Sequence, residues 1–522
     1  MRNIYLSIFI ILFSIPNLFS QTETKELSAN SMKALFTNDG SFMHDPCVGS
    51  HGYSFKNYTS YSLIFSNKLY FGGYDQSGEF HFTGMIISDY YNDGISAGPV
   101  SNNYNDSVYI ENYGSGIWKV SKSEIINHVS NYSQFGYVVQ PNIKNWPANG
   151  NTSLGVDNDL VPYIDFNSNG FYDPENGDYP CIKGDEAVYL IYNDDAPSDT
   201  LQEFEKVGLE IHMMFYQYQT NDYLDSTTFM SLRLKNIGTY SYDTINIGIY
   251  SDMDVGYNQN NYIGTDSVRN LVYTYKSNVY DTTVNHPAVG LLSLDYDISY
   301  VLPYIRFSPD DFKTSPLIGS FYGQFGDSTY LHFGGSGHIG HPNTTNQLTN
   351  WAFSGNPYTG VGWSELNIDG LGGSNDGFDR RILLSQKKMQ FSPFSTVKLN
   401  YAFIVNRNST YLENTALLKL TADSVKNRYL NEIESEDCTI GLKNLSEDKD
   451  LIIYTNPASH NLVYRALNLK NEKVKLMSLN GELLNEQRIL NDNTEGNFDL
   501  SSLNAGTYVI SVSDITRKIV KL

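Results

Sequence analysis

Cysteine is scarce in this chain: Cys47, Cys181 and Cys438 are the three in 522 residues. An odd count leaves one thiol over. Cys438 sits in a polar acidic stretch, which makes it the expected spare and Cys47–Cys181 the expected pair. Basic residues are few as well, 35 Lys and Arg against 57 Asp and Glu, for a formal charge of −22. That balance excludes nucleic acid as a partner, because phosphate recognition needs clustered Lys and Arg. Charge of either sign is modest at 18%, while aromatics reach 14%, so most of the chain can bury a core and is not disordered. Beyond residue 13 no apolar run is long enough to span a bilayer, so the mature chain has no transmembrane segment. No Gly-x-Ser-x-Gly elbow and no phosphate loop is present. Cys47 near His44 and His51 does not make a cysteine protease. His332, His338 and His341 are read as loop histidines, because they lack the tight spacing of a zinc ligand set.

What the chain does have is 41 Tyr and 41 Gly, a composition of strands and turns. Met230, Leu232 and Leu234 alternate with polar neighbours, and so do Ile245, Ile247 and Ile249, and the odd positions from Val397 to Val405. Period-two alternation predicts antiparallel strands with one buried and one wet face. Asp75 to Gly78 reads as a hairpin turn. Ser121 with Glu124 predicts a capped helix to about Tyr132, with Val120 and Ile125 as its hydrophobic staple. Thr410 with Glu413 opens a second helix, whose stripe is Leu418, Ala422, Val425 and Tyr429. The expected fold is all-β: a large antiparallel sandwich-like body over 21–430 with a few helices, a polar linker over 431–446, and a small immunoglobulin-like sandwich over 447–522.

The ends carry addresses. Arg2, the apolar run Ile4–Phe13, the break at Pro16 and Asn17, and the small Ser20 make residues 1–20 a secretory signal peptide. The tail opens with Asn456-Pro457-Ala458 and has a turn at Asn480-Gly481 between apolar runs. It continues through Asp499–Leu503 to Gly506-Thr507-Tyr508 and ends in a basic segment with Lys518 and Lys521. These motifs, in this order, resemble the type A C-terminal sorting domain of the type IX secretion system of Bacteroidetes, with Thr455 where that family usually has Pro. The resemblance implies recognition in the periplasm by the secretion machinery, passage through the outer membrane, removal of the tail by a C-terminal signal peptidase, and attachment to the surface or release. Farther in, Trp118-Lys-Val, Asn145–Gly150, Asp165–Gly170, Gly177–Pro180, Gly208–His212 and Ser251–Gly256 are similar to segments of large exoproteins of the same secretion class. No activity comes with that second likeness.

Four constellations could carry chemistry. Asp165, Asn167, Asn169 and Gly170 place oxygen side chains at every second position before a tight turn. With the Phe171 carbonyl and Asp173, and with Glu175 or Asp178 to close the shell, they could wrap a calcium ion. Asn176 stands where an EF-hand has its bidentate Glu, so this is not an EF-hand. Asp252 and Asp254 lie two apart on an extended segment and so share a face. They could bind a metal or act as acid and base on a glycosidic bond. Asn367–Gly370 with Asn375–Asp379 is a weaker turn of the same kind. Glu210 and His212 share a strand face, read first as a structural pair and second as an acid–base pair. Trp146, Trp351 and Trp363 sit among Pro, Gly and Asn, and are expected to be exposed platforms for sugar rings. The functional expectation is calcium-supported binding to glycan or another surface. The alternatives are a polysaccharide hydrolase using Asp252, Asp254 or Glu210, and a purely structural surface protein.

Overall fold

The computed structural model describes residues 23–85, 92–197, 205–276, 285–304, 351–367, 374, 377, 379–407, 409–435, 450–453, 458, 460–467, 469–479, 481–491, 494–513 and 515–521. The signal segment, the three loop histidines, Asn456 and Pro457 lie outside the described residues. The chain divides into two compact units, 1–438 and 439–522.

The larger unit is a sandwich of two antiparallel sheets. The first has eleven strands. Its central path runs from Tyr300–Tyr304 through Arg381–Phe391, Tyr242–Asp252 and Ser66–Asp75 to the short N-terminal strands, ending on Tyr58–Ile64. The second has nine strands, running from Ser96–Ala97 through Glu186–Asn193, Leu209–Gln217, Thr227–Asn236, Thr396–Asn406, Ala288–Ser293 and Leu271–Lys276 to Asn261–Asp266. One core joins them: Phe36, Phe71, Ile247 and Leu384 of the first sheet pack in the same cluster as Val188, Phe215, Leu232 and Phe403 of the second. Phe215 stacks obliquely on Phe36 at 4.3 Å and Phe42 meets Phe403 edge-on at 6.2 Å, so aromatic rings span the interlayer space.

Local signals fold as their chemistry dictates. In Thr227–Asn236 the residues Ser231, Arg233 and Lys235 are half-buried between fully buried neighbours. The 75–78 turn closes with Gly78 at φ +85° and its N–H donating to the Asp75 carbonyl at 3.0 Å. Both capping boxes form, on the helices Lys122–Asn131 and Tyr411–Arg428. Leu418, Ala422 and Val425 are buried, and the second helix covers the outer face of strands 271–276, 288–293 and 396–406. Its chain continues as a wide turn over Tyr429–Ile433, so ordered body runs past residue 430.

Two expectations are corrected. Strand Tyr242–Asp252 is not wet on one face; it is buried on both from Ile245 onward, with Ile245, Ile247 and Ile249 in the core and the Tyr70 ring lying over Gly248 on the other face. Cys47 is exposed and free, whereas Cys181 is disulfide-bonded, so the Cys47–Cys181 bond does not form. Cys438 lies outside the described residues.

The smaller unit is a sandwich of a three-stranded sheet (450–453, 461–467, 494–499) and a four-stranded sheet (483–488, 473–478, 506–512, 515–521). Leu462, Tyr464 and Phe498 from one sheet share a core with Leu476, Ile510 and Ile519 from the other.

Candidate functional site

The 165–178 loop is tied to itself. Asp165 accepts the backbone N–H groups of Asn169 at 3.1 Å and Gly170 at 2.7 Å. Asp173 accepts the side-chain amides of Asn167, Asn169 and Asn176 at 3.0, 2.8 and 2.8 Å. These bonds, Asn176 first, hold its carboxyl below the usual range. Asp178 is buried and accepts the N–H groups of Phe166 and Asp173, both at 2.8 Å. The Phe171 ring is exposed.

Glu210 and His212 form a buried pair, with Nε2 3.0 Å from the carboxylate. The second Glu210 oxygen accepts the Val100 N–H at 2.8 Å, and His212 Nδ1 faces the Tyr189 hydroxyl at 3.1 Å. Burial pushes the Glu210 carboxyl up, but the bond to His212 brings it below its ordinary value; burial also lowers His212. Carboxylate and imidazole are thus both buried and both hydrogen-bonded within the fold. The pair lies on the second sheet, apart from the acidic group on the first.

That acidic group forms at one end of the first sheet. Asp252 closes its strand directly opposite Arg381. Two residues beyond these strand ends stand Asp254 and Asp379. Met253 and Val255 enter the core, so Asp252 and Asp254 face the other way. Carboxylate oxygens of Asp252, Asp254 and Asp379 all lie within 4.8 Å of one another, and no other such group of His, Cys, Asp or Glu occurs among the described residues. Arg381 bridges two of them, with Nε 3.0 Å from Asp252 Oδ2 and Nη2 3.0 Å from Asp379 Oδ2. Burial pushes the Asp252 carboxyl up to about 6 against the pull of Arg381. Burial, then the charge of Asp252, pushes Asp254 up to about 8. The sequence placed Asp252 and Asp254 together. Asp379 joins them only through strand pairing. Of the weaker turn, Asp369, Gly370, Asn375 and Asp376 lie outside the described residues, and Asn367 is committed to the carbonyls of Gly360 and Gly362.

The tryptophans are not exposed platforms. Trp146 is buried, donates its indole N–H to the Pro162 carbonyl at 3.0 Å and packs edge-on to Tyr189. Trp363 is buried against Phe353 at 4.9 Å, and Trp351 is half-buried against the core. Each ring removes a large apolar area from water, which outweighs the loop character of its neighbours. An open cleft of about 1170 Å³ nevertheless lies beside Trp146. Tyr104 and Trp118 also line it, with Asn38, Asn105 and Asn142 among its polar walls.

In the tail, Gly481 at φ +84° closes the 473–488 hairpin, with its N–H on the Ser478 carbonyl at 3.0 Å. Ala458 is buried and bridges Lys521; its N–H donates to the Val520 carbonyl at 2.8 Å. Gly506 begins a strand, Tyr508 donates to the Asn504 carbonyl at 2.8 Å, and Lys518 is exposed.

Residues 452–522 match the family described as secretion system C-terminal sorting domain. Among the described residues no helix is long and apolar enough to cross a membrane. No curated protein matches the chain. Among solved structures, a polysaccharide lyase aligns over 60% of this chain and 34% of its own, at 8% identity and a TM-score of 0.20, too weak a likeness to carry an argument.

Proposed function

We propose that this protein, which its type IX sorting tail routes through the periplasm to the cell surface or the medium, acts there as a glycan-binding module. The cleft beside Trp146 supports this reading most. Its walls combine aromatic edges from Tyr104 and Trp118 with side-chain amides from Asn38, Asn105 and Asn142. Sugar rings present apolar faces and hydroxyl edges, and such a lining meets both. In the same reading calcium steadies the 165–178 loop. Rotating the amides of Asn167 and Asn169 would turn their oxygens, with those of Asp165 and Asp173, toward a cation.

Hydrolysis by the Asp252–Asp254 pair has less support. Both carboxyl groups are buried, Asp252 5% and Asp254 9% exposed, and Asp252 is held by Arg381, which leaves a sugar little access to them.

The purified protein is mixed with a panel of insoluble polysaccharides, and protein depletion and released reducing ends are read in one tube. Depletion without release is expected, weakened in Tyr104→Ala and Asn142→Ala. Release of reducing ends would replace the binding reading with the enzymatic one. Absence of depletion on every polysaccharide would leave a structural role.

A further inference from the structure

The acidic group at the end of the first sheet has an unusual balance of charge and hydrogen bonds. Antiparallel register sets Asp252 against Arg381, and Asp254 and Asp379 lie two residues beyond these two strand ends, with carboxylate oxygens of all three Asp within 4.8 Å of one another. Carboxylates held this close repel one another when ionised. Arg381 takes one oxygen, Oδ2, from Asp252 and one from Asp379. The remaining Oδ1 atoms of Asp252, Asp254 and Asp379 are buried and have no hydrogen-bond partner. Asp252 is 5% exposed and Asp254 9%, so solvent does not replace the missing partners. Leaving a buried carboxylate oxygen unmet costs more than any single bond in the group returns.

The adjoining loop adds neutral oxygens of the same kind. The Oδ1 atoms of Asn258 and Asn261 are also buried without partners. The Asn261 amide nitrogen and Lys276 Nζ both donate to the Tyr257 carbonyl, at 3.0 and 2.7 Å. Asn260, at φ +65°, packs its backbone so closely on Gly377 that a Cβ there would sit 2.4 Å from its Cα. That contact fastens the 255–261 loop to the segment leading into Asp379.

We propose that Asp252, Asp254 and Asp379 bind a divalent cation, calcium, at this corner, separately from the 165–178 loop. Two oxygens bound to one calcium at about 2.4 Å can be at most about 4.8 Å apart, which is the bound within which these carboxylates fall. With all three carboxylates ionised around a bound cation, the one guanidinium in contact leaves two negative charges, matched by a divalent ion. The donors are all oxygen, which favours a hard cation over zinc. Arg381 acts as a positioning residue that turns one oxygen of Asp252 and of Asp379 toward the shared centre.

The test measures calcium bound per chain by equilibrium dialysis, and thermal midpoints in CaCl2, MgCl2 or EDTA. It compares the wild type, Asp379→Asn and Asp165→Ala. The expected result is that Asp379→Asn binds one calcium fewer, or binds it at least about tenfold more weakly. In EDTA it should melt no lower than the wild type, because a buried repulsion has been removed. Asp165→Ala should keep this site filled, so failure of the loop reading and failure of this one are distinguishable. Wild-type stoichiometry at wild-type affinity in Asp379→Asn overturns the proposal, as does a wild type that binds no calcium or binds magnesium in its place. If Asp379→Asn does not fold, Asp254→Asn, which leaves both Arg381 bridges intact, decides by the same two outcomes.

Discussion

At the scale of single residues, the recurring device is a glycine beneath a tyrosine ring. Gly248 faces Tyr70, Gly264 faces Tyr273 and Gly496 faces Tyr464, each as a direct cross-strand pair. A Cβ at these glycines would lie 1.9, 2.2 and 2.4 Å from the facing ring. The glycine weakens its own strand but makes room for a ring that covers the bare backbone. Gly248→Ala should therefore cost about 3 kcal/mol, because it both overpacks a fully buried site and displaces the Tyr70 hydroxyl. That hydroxyl donates to the Leu384 carbonyl at 2.8 Å. Urea unfolding of Gly248→Ala measures the cost, and a change below about 0.5 kcal/mol, the ordinary surface value, would contradict the close contact. Some of the residue-scale chemistry was legible in sequence. Ser121 with Glu124 and Thr410 with Glu413 cap their helices through neighbours three residues away, and local spacing is enough to read them. The depth of Trp146 and Trp363 was not legible, since Pro, Gly and Asn neighbours mark a loop but not what the loop lies against.

At the scale of elements, the 66–85 hairpin shows how one side chain sets a turn. Asp75 Oδ1 accepts from the Ser77 N–H at 2.8 Å, the Ser77 hydroxyl at 2.7 Å and the Glu79 N–H at 2.9 Å. These bonds, the Ser77 hydroxyl first, hold the carboxyl down to about 2. The folded value lies below the unfolded value of about 3.9, so the unfolded chain takes up the proton first as the pH falls. The turn's contribution is therefore complete above about pH 4 and disappears as the pH falls through about 2. Comparing the urea midpoints of the wild type and Asp75→Asn should show a gap that closes across that window; a gap constant with pH would mean the carboxylate charge contributes nothing. The turn itself was readable from Asp75 to Gly78. The acidic corner was only half readable, for an instructive reason. Asp252 and Asp254 share a face by strand period alone, but Asp379 reaches them through a register with a strand 129 residues away. Hydrophobic alternation fixes which face a strand buries; it does not say which strand lies beside it. The disulfide was misread for the same cause, because Cys pairing depends on distances that sequence does not contain.

At the scale of the whole molecule, the body and the tail have separate hydrophobic cores. A domain with its own core can fold, and be lost, without its neighbour. The tail's core draws on both of its sheets, from Leu451 to Ile519. The turn at Gly481, the bridge of Ala458 to Lys521 and the exposed Lys518 are fixed on that small sandwich rather than on the body. A sorting element built this way can be read and removed while the exported sandwich stays folded. Removing residues 447–522 should therefore leave a body with native stability that stops in the periplasm. Two readouts check this together: cell fractionation for location, and the thermal midpoint of the recovered body for integrity. A truncated body that is folded and still reaches the surface would show that the address lies elsewhere in the chain. A body that is degraded in the periplasm would show that the two cores are not independent, contrary to their separate packing. Folded, periplasmic protein is the outcome that ties the step from periplasm to surface to the tail, and it would leave the cleft and the acidic corner as properties of the body to be measured without the tail.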